Sequence, residues 1–300
     1  MERRASVTAA LVSAACFGTL AIFTSLAYKG GALPLQLLTW RFSMAAVLLG
    51  GYLAFTKPRA LRIPLGDLGR YAVISLLGYG AASICFFFAL TYTDAAVVAI
   101  LLYTYPAMVV LAERLLFGVP LSSGRGVAVA LTFVGCAFVS DPFSAQGGVV
   151  LIGVALGLGA AACYSVFSML SDRWLEGRPR ATLMTYLFVY TALLSGVAAL
   201  VTRTPLGTSE WTPIVWPMLL GIVALPTFAA ILLYLRALRG LGAGQAAILS
   251  TFEPVFTIVL ASLLLGERLS LTQWLGAALV LAGVFIAERA GRPAAELALV

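Results

Sequence analysis

The chain has 300 residues, of which 62% are apolar and only 10% are charged, and its formal net charge is +7. Stretches without charge at 71–93, 142–171 and 211–235 each exceed the roughly 20 apolar residues that cross the hydrocarbon core of a bilayer. This composition excludes a soluble globular domain. The basic residues are scattered between apolar segments, which also excludes a nucleic-acid-binding protein with one basic face.

Taken in chain order, the apolar segments predict an all-α integral membrane protein with ten transmembrane helices. We expect these helices at 7–28, 35–56, 71–91, 95–113, 123–140, 148–171, 181–202, 212–235, 243–266 and 270–288. The longest predicted loop is 57–70, so the chain has no room for a separate soluble domain.

The distribution of basic residues predicts that the N- and C-termini are both cytoplasmic. In the ten-helix arrangement, fifteen of the nineteen Lys and Arg residues fall in loops and ends on one side of the membrane, and cytoplasmic loops are enriched in such residues. The opposite loops hold Lys29, Arg203 and Arg268, and Arg41 lies within the second helix. The first apolar stretch is longer than a signal sequence, and we expect it to be a retained helix.

An internal repeat divides the predicted helices into two groups of five. Six residues recur 148 positions later, and Ala14-Ala15-Cys16-Phe17 falls on Ala161-Ala162-Cys163-Tyr164 at an offset of 147. The six are Ile100, Pro106, Gly118, Leu121, Ser122 and Gly135, which fall on Ile248, Pro254, Gly266, Leu269, Ser270 and Gly283. Because five is odd, the second group must enter the membrane from the opposite side. The sequence therefore predicts two inverted five-helix repeats, with a substrate site near the midplane between them.

Two repeat-related prolines lie inside predicted spans. Pro106 and Pro254 have no amide hydrogen, so the carbonyls of Leu102 and Ser250 lose their helical partners. Within a bilayer such carbonyls must bond to protein, water or ligand. We expect a helix break at each proline, and a plain kink that neighbouring side chains satisfy is an equal alternative.

Glu253 is the one acidic residue well inside any predicted span. It lies about 15 Å from the predicted helix start at Ala243, close to the bilayer centre. A charged side chain there costs on the order of 2.5 to 3.5 kcal/mol. Glu253 is therefore either a proton carrier that couples transport or a structural acid that donates a hydrogen bond. Arg41 also has two interpretations, which are snorkelling to the outer surface and anchoring a substrate carboxylate.

Aromatic and small polar residues at mid-depth are the predicted substrate contacts. A buried phenol hydroxyl needs a hydrogen-bond partner, and several tyrosines at one depth suit an amphipathic or aromatic small molecule. For each tyrosine alone, packing in the core is the alternative. The predicted substrate-binding residues are Phe17, Tyr79, Ser83, Tyr103, Tyr105, Tyr164 and Ser250.

The sequence indicates neither an enzyme nor an ATP-driven pump. It contains no His, no Gly-x-Ser-x-Gly motif and no GxxxxGK[ST] loop. The four cysteines lack metal-ligand spacing, so we expect no catalytic residue, no metal site and no cofactor. The expected partners are a small-molecule substrate and the lipid bilayer. The oligomeric state stays open, and a monomer is compatible with the sequence.

The second half of the chain resembles the EamA repeat of the drug/metabolite transporter superfamily. The resemblance rests on Glu253-Pro254-Val255-Phe256, on 264–270 with its Gly266-Glu267-Arg268, on 273–279 and on Gly283-Val284. The first half is a weaker copy, with Val119-Pro120 in place of Glu267-Arg268. The resemblance implies a first repeat at 1–141, a second at 142–290 and a cytoplasmic tail at 291–300.

Within that superfamily the chain is most similar to the YddG-type exporters of aromatic and other neutral amino acids, through its overall sequence and its tyrosine-rich central helices. This resemblance implies a secondary transporter in the cytoplasmic (inner) membrane that exports such amino acids by alternating access. A broad-specificity metabolite or drug efflux carrier is the alternative, and a passive channel is a further one. Saturable flux with counterflow separates a carrier from a channel.

Overall fold

The computed structural model of the chain describes residues 2–140, 147–174 and 179–290. These residues form α-helices joined by short turns, and the described chain has no β-strand. The prediction of an all-α protein is therefore confirmed.

Fourteen α-helices, three π-helical segments and one 3₁₀ turn make up the described chain. Up to residue 140 they are α1 (Glu2–Lys29), α2 (Pro34–Thr56), the 3₁₀ turn Pro58–Leu61, α3 (Leu65–Val73), a π-helix Ile74–Gly80, α4 (Ala81–Ala89), α5 (Ala95–Leu102), α6 (Tyr105–Phe117) and α7 (Ser123–Val139). From residue 147 they are α8 (Gly147–Trp174), α9 (Arg180–Val201), α10 (Val215–Ile222), a π-helix Val223–Ala229, α11 (Ala230–Leu241), α12 (Ala243–Ser250), α13 (Glu253–Leu260), a π-helix Ala261–Leu265 and α14 (Leu271–Ala290).

Eight helical segments among the described residues are long and apolar enough to cross a membrane, so the protein is a multi-pass membrane protein. They are Arg4–Lys29, Pro34–Thr56, Leu65–Ala89, Ala95–Phe117, Leu151–Ser171, Ala181–Val201, Val215–Leu241 and Ile248–Leu265. Two further apolar helices, Ser123–Val139 and Leu271–Ala287, are shorter. These two coincide with the fifth and tenth predicted helices.

Two spans extend beyond their predicted ends and carry acidic residues into the helical bundle. The segment Leu65–Ala89 contains Asp67, and the segment Ala95–Phe117 contains Glu113; both side chains are buried. Asp67 lies near the start of its span and Glu113 near the end of its span, so the statement that Glu253 is the one acid well inside a span stays a prediction. Glu113 forms an ion pair with the buried Arg125 at 3.3 Å, which removes the cost of leaving either charge unpaired.

The three π-helices interrupt regular hydrogen bonding in the third, seventh and eighth of these spans. In Val223–Ala229, Pro226 has no amide hydrogen to donate to the Ile222 carbonyl. The hydroxyl of Thr227 donates to that carbonyl instead, at 2.9 Å. Such π turns are rare and often lie at functional sites; this one turns Thr227 into the buried interior.

Helices α7 and α14 pack closely at glycines. A Cβ atom added to Gly135 would lie 2.7 Å from the carbonyl oxygen of Gly276, and one added to Gly283 would lie 2.7 Å from the carbonyl oxygen of Ala128. Both distances are shorter than real Cβ contacts, so larger residues there would force the helices apart. The main apolar core includes Phe42, Phe87 and Phe188 and extends to residues of α7 and α14.

Candidate central binding site

Two helix breaks lie side by side at the centre of the site. Helix α5 ends at Leu102 and α6 begins at Tyr105, with Pro106 as its second residue. Helix α12 ends at Ser250 and α13 begins at Glu253, with Pro254 as its second residue. A two-residue turn separates the helices of each pair, and Pro106 and Pro254 are both buried.

Tyr103 connects the two breaks. Its side chain is 7% exposed, and its hydroxyl oxygen lies 2.8 Å from the carbonyl oxygen of Ser250 and 2.8 Å from Oε2 of Glu253. The Ser250 carbonyl is the group whose amide partner is lost at Pro254. The Tyr103 hydroxyl can therefore donate a hydrogen bond to the carbonyl that the proline leaves without a partner.

The protonation of Glu253 decides how these three groups are satisfied. A phenol hydroxyl carries one hydrogen, so it can donate fully to only one of its two neighbours. When Glu253 is protonated, its carboxyl group donates to Tyr103 and Tyr103 donates to Ser250. When Glu253 is ionised, it competes with the Ser250 carbonyl for the same hydrogen. Among the described residues no Lys or Arg nitrogen lies within 4.0 Å of Glu253, so this geometry favours the protonated acid.

Aromatic rings run from this centre across four spans in a continuous series that we call the aromatic track. Successive ring centroids lie 6.2 Å apart for Tyr103 and Tyr105, 4.8 Å for Tyr105 and Tyr164, 5.3 Å for Tyr164 and Phe167, 5.4 Å for Phe167 and Tyr79, and 5.7 Å for Tyr79 and Phe42. All five pairs are tilted or edge-to-face, and edge-to-face contact is a preferred aromatic geometry. The close approach of the Gly78 backbone to Phe167 positions Tyr79 in the track.

Arg41 lies at the far end of the aromatic track, next to Phe42. Its side chain is 4% exposed, so the snorkelling interpretation is wrong. Nε and Nη2 both donate to Thr227 Oγ1 at 3.3 Å, and the guanidinium carbon lies 4.7 Å from the ring centroid of Phe42 and 5.6 Å from that of Phe87. The Thr227 hydroxyl donates its hydrogen to the Ile222 carbonyl, which Pro226 leaves without an amide partner. Its oxygen can therefore accept from Arg41.

The other predicted residues lie outside the series of ring contacts. Ser83 and Ser250 donate their hydroxyls to their own helices, at the carbonyls of Tyr79 (2.8 Å) and Ala246 (3.0 Å), which leaves both oxygens able only to accept. Phe17 is half-buried on α1 and makes no ring contact among the described residues. The structure thus joins Tyr79, Tyr103, Tyr105, Tyr164 and Glu253, and leaves Phe17 and Ser83 outside the aromatic track.

Sequence reasoning missed the phenylalanines of the track and the contact between Arg41 and Thr227. Phenylalanine has no polar atom that requires a partner, so Phe42 and Phe167 gave no signal beyond general hydrophobicity. Pro226 in the predicted eighth helix was a usable signal, because it exposes a carbonyl that the adjacent threonine can satisfy.

Glu267, which the resemblance had singled out, anchors the start of the fourth span. Its Oε1 and Oε2 accept hydrogen bonds from the amides of Ala95 and Ala96 at 2.9 and 3.1 Å, at the positive end of α5. Burial raises the pKa of Glu267 above its ordinary value, and the two amides oppose that shift. Glu267 thus ties the loop after α13 to the span that holds Tyr103.

Comparisons with known proteins agree with this architecture. The EamA-like transporter family matches residues 4–141 and again residues 151–288. An uncharacterized transporter of Archaeoglobus fulgidus is 27% identical over 285 residues, covering 94% of this chain and 95% of that protein. An uncharacterized transporter of Clostridium kluyveri is 24% identical over 287 residues, covering 91% and 89%. The uncharacterized transporter YwfM of Bacillus subtilis is 28% identical over 174 residues, which is 55% of each chain.

A crystal structure of another protein matches the fold with a TM-score of 0.65 and 20% identity, over 96% of this chain and 97% of that one. At this identity the match establishes the fold alone. The family match covers most of both halves of the sequence, including the two broken helices. The chain belongs to the EamA-like transporter family.

Proposed function

We propose that the protein is a secondary transporter that exports small metabolites, above all aromatic and other neutral amino acids, across the cytoplasmic membrane by alternating access. The observation that carries this proposal is the junction of two proline-broken helices at Tyr103, Ser250 and Glu253, which opens onto the aromatic track. Broken helices inside a bilayer offer backbone groups to a ligand, and aromatic rings suit its apolar portion.

Ten transmembrane helices in two inverted repeats, covering 1–141 and 142–290, are part of this proposal. The packing of α7 on α14 supports it. Shifted by the repeat offset of 148, the contact between Gly135 and Gly276 becomes the contact between Gly283 and Ala128, and both contacts are present. A two-fold axis that exchanges the halves produces such reciprocal pairs.

The helix breaks supply a second reciprocal pair. Ser165 on α8 donates to the carbonyl of Tyr105 at 3.0 Å. Its repeat mate on α1 is Gly18, and a Cβ atom there would lie 3.2 Å from the carbonyl of Glu253, the repeat mate of Tyr105. Each broken helix therefore lies against the first helix of the opposite half. Rocking of the two halves about this centre is the motion that alternating access requires.

In this mechanism Tyr79, Tyr103, Tyr105 and Tyr164 contact the substrate. Their rings line one path, and Tyr164 has no hydrogen-bond partner for its hydroxyl among the described residues, so that hydroxyl remains available to a ligand. Phe17, Ser83 and Ser250 are further proposed substrate contacts. Glu253 holds its proton in the resting state, which keeps the midplane free of an unpaired charge.

Purified protein in liposomes tests the function. We expect saturable uptake of labelled phenylalanine, and faster uptake when the vesicles contain unlabelled phenylalanine. Competition by a panel of amino acids and unrelated drugs measures specificity; equal competition by all of them would favour a broad efflux carrier. Linear flux without acceleration by internal substrate would favour a channel and contradict the proposal.

Cysteine labelling tests the orientation. With both termini cytoplasmic, the loop before α10 faces outward and the loop before α7 faces inward. A cysteine at the exposed Ser209 should react with an impermeant thiol reagent added to intact cells, and one at the exposed Ser123 should react only after the membrane is opened. The reverse labelling would contradict the orientation of every loop.

A further inference from the structure

We propose that Arg41 is the anchor for the carboxylate group of the substrate, at the end of the aromatic track opposite Glu253. The inference rests on the proposed transport function and adds to it the chemical class that the site selects, a monocarboxylate with an aromatic or apolar side group. It follows from the hydrogen bonds, charge and surroundings of one buried side chain.

The guanidinium of Arg41 has more donors than the protein satisfies. An arginine side chain carries five N–H groups and no acceptor. Thr227 Oγ1 accepts one from Nε and one from Nη2, both at the long distance of 3.3 Å. Three N–H groups then have no acceptor among the described residues, although the side chain is 96% buried. These N–H groups are therefore available to a ligand.

Among the described residues the positive charge also has no counter-ion. Ion pairs in this part of the chain join Arg70 to Asp67 and Arg125 to Glu113, and no described carboxylate lies within 4.0 Å of Arg41. The rings of Phe42 and Phe87 provide only partial compensation. A charge at this depth in a membrane protein ordinarily pairs with another group or marks a substrate path.

The geometry of the remaining donors favours a carboxylate. Thr227 occupies the Nε side of the guanidinium, which leaves the edge formed by Nη1 and Nη2. That edge presents two parallel N–H groups, matching the two oxygens of a carboxylate. A phosphate dianion would need further cations, whereas the contacts of Arg41 in the described chain are with Thr227, Phe42 and Phe87.

The surroundings favour an aromatic or apolar remainder on the ligand. Phe42 contacts both the guanidinium and the ring of Tyr79, with ring centroids 5.7 Å apart for the two rings. A ligand whose carboxylate binds Arg41 therefore meets aromatic faces next. The sequence left this role open beside snorkelling, and burial of the side chain excludes snorkelling.

Three probes that share a phenyl ring test the carboxylate requirement on the purified full-length protein. Phenylalanine has both charged groups, 3-phenylpropionate has only the carboxylate, and 2-phenylethylamine has only the ammonium. We expect the first two to bind, as measured by isothermal titration calorimetry, and the amine to bind about tenfold more weakly or worse. Equal binding of the amine, or binding of none of the probes, would overturn the inference.

Arg41→Lys is the decisive variant, since it retains a cation but loses the planar pair of donors. It should weaken 3-phenylpropionate binding by about tenfold or more. Arg203→Gln, which removes an exposed positive charge, should leave binding unchanged. Arg41→Gln, a second variant with planar amide geometry but no charge, covers the case in which the lysine variant does not fold; unchanged binding by either folded variant would overturn the inference.

The two proposals can fail separately. If phenylalanine is transported and Arg41→Lys transports it as well as the parent, export stands and the anchor is wrong. If 3-phenylpropionate binds through Arg41 while no amino acid is transported, the anchor stands and the proposed substrate is wrong.

Discussion

Removal of the Tyr103 hydroxyl group is the smallest change that tests the structure of the central site. Tyr103→Phe removes one oxygen and leaves the ring in the aromatic track. In the parent this oxygen is 2.8 Å from both the Ser250 carbonyl and Oε2 of Glu253. In the variant the carbonyl has lost its tyrosine partner in addition to the amide missing at Pro254.

The magnitude follows from those two contacts. Leaving one buried polar group unsatisfied costs about 1 to 3 kcal/mol, and Tyr103→Phe leaves the carbonyl and the carboxyl group both without this partner. The half-buried Glu253 recovers part of its loss through water. We therefore expect the free energy of unfolding to fall by about 2 to 3 kcal/mol.

Tyr164→Phe is the matched control. Tyr164 lies in the same track, with its ring centroid 4.8 Å from that of Tyr105, but its hydroxyl has no partner among the described residues. Its loss should change stability by less than about 0.5 kcal/mol. Reversible unfolding of both variants in mixed micelles, followed by circular dichroism, gives the comparison. Equal stability of the two variants would refute the hydrogen-bond arrangement at the helix breaks.

Three further substitutions test charged and protonated groups. Glu253→Gln should retain stability and substrate exchange, because its amide can donate to Tyr103 as the protonated acid does; loss of pH-gradient-driven accumulation with intact exchange would instead make Glu253 a proton carrier. Glu113→Gln should lower the free energy of unfolding by about 3 to 5 kcal/mol, since it leaves the buried charge of Arg125 without its carboxylate; a loss below about 1 kcal/mol on thermal unfolding would contradict this. Glu267 has a raised pKa, so the folded state binds its proton more tightly than the unfolded chain does, and its contribution favours folding at low pH and declines as pH rises. Glu267→Gln should remove that part of the pH dependence, and an unchanged pH profile of unfolding would refute the assignment.

The apolar spans and the helix breaks at Pro106 and Pro254 could be predicted, because hydropathy and the missing proline amide are local properties of the sequence. Apolar length alone predicted the eight spans found among the described residues, because a bilayer imposes nearly the same requirement on each helix. Tyr103 and Glu253 were identifiable because buried polar groups need partners wherever they lie. Their direct contact was not, since the two residues are 150 positions apart.

Side-chain direction and helix register explain what the sequence did not reveal. Whether Arg41 points outward or inward depends on Thr227, which lies 186 positions away on a π-helical turn. The sequence prediction ended the fourth helix at Glu113. In the structure α6 continues to Phe117 and ends at Gly118, which has a positive φ of 69°. A shift of four residues separates a membrane-surface acid from a buried ion pair.

Counterflow of labelled phenylalanine in liposomes, compared between the parent and Tyr79→Ala, tests most directly whether the aromatic track forms the transport site. Tyr79 contacts both Phe42 and Phe167, so its truncation interrupts the track between Arg41 and the helix breaks. We expect rapid counterflow from the parent. In a folded Tyr79→Ala variant the counterflow rate should be lower by a factor of about ten or more. Equal counterflow from the two proteins would contradict the proposed site.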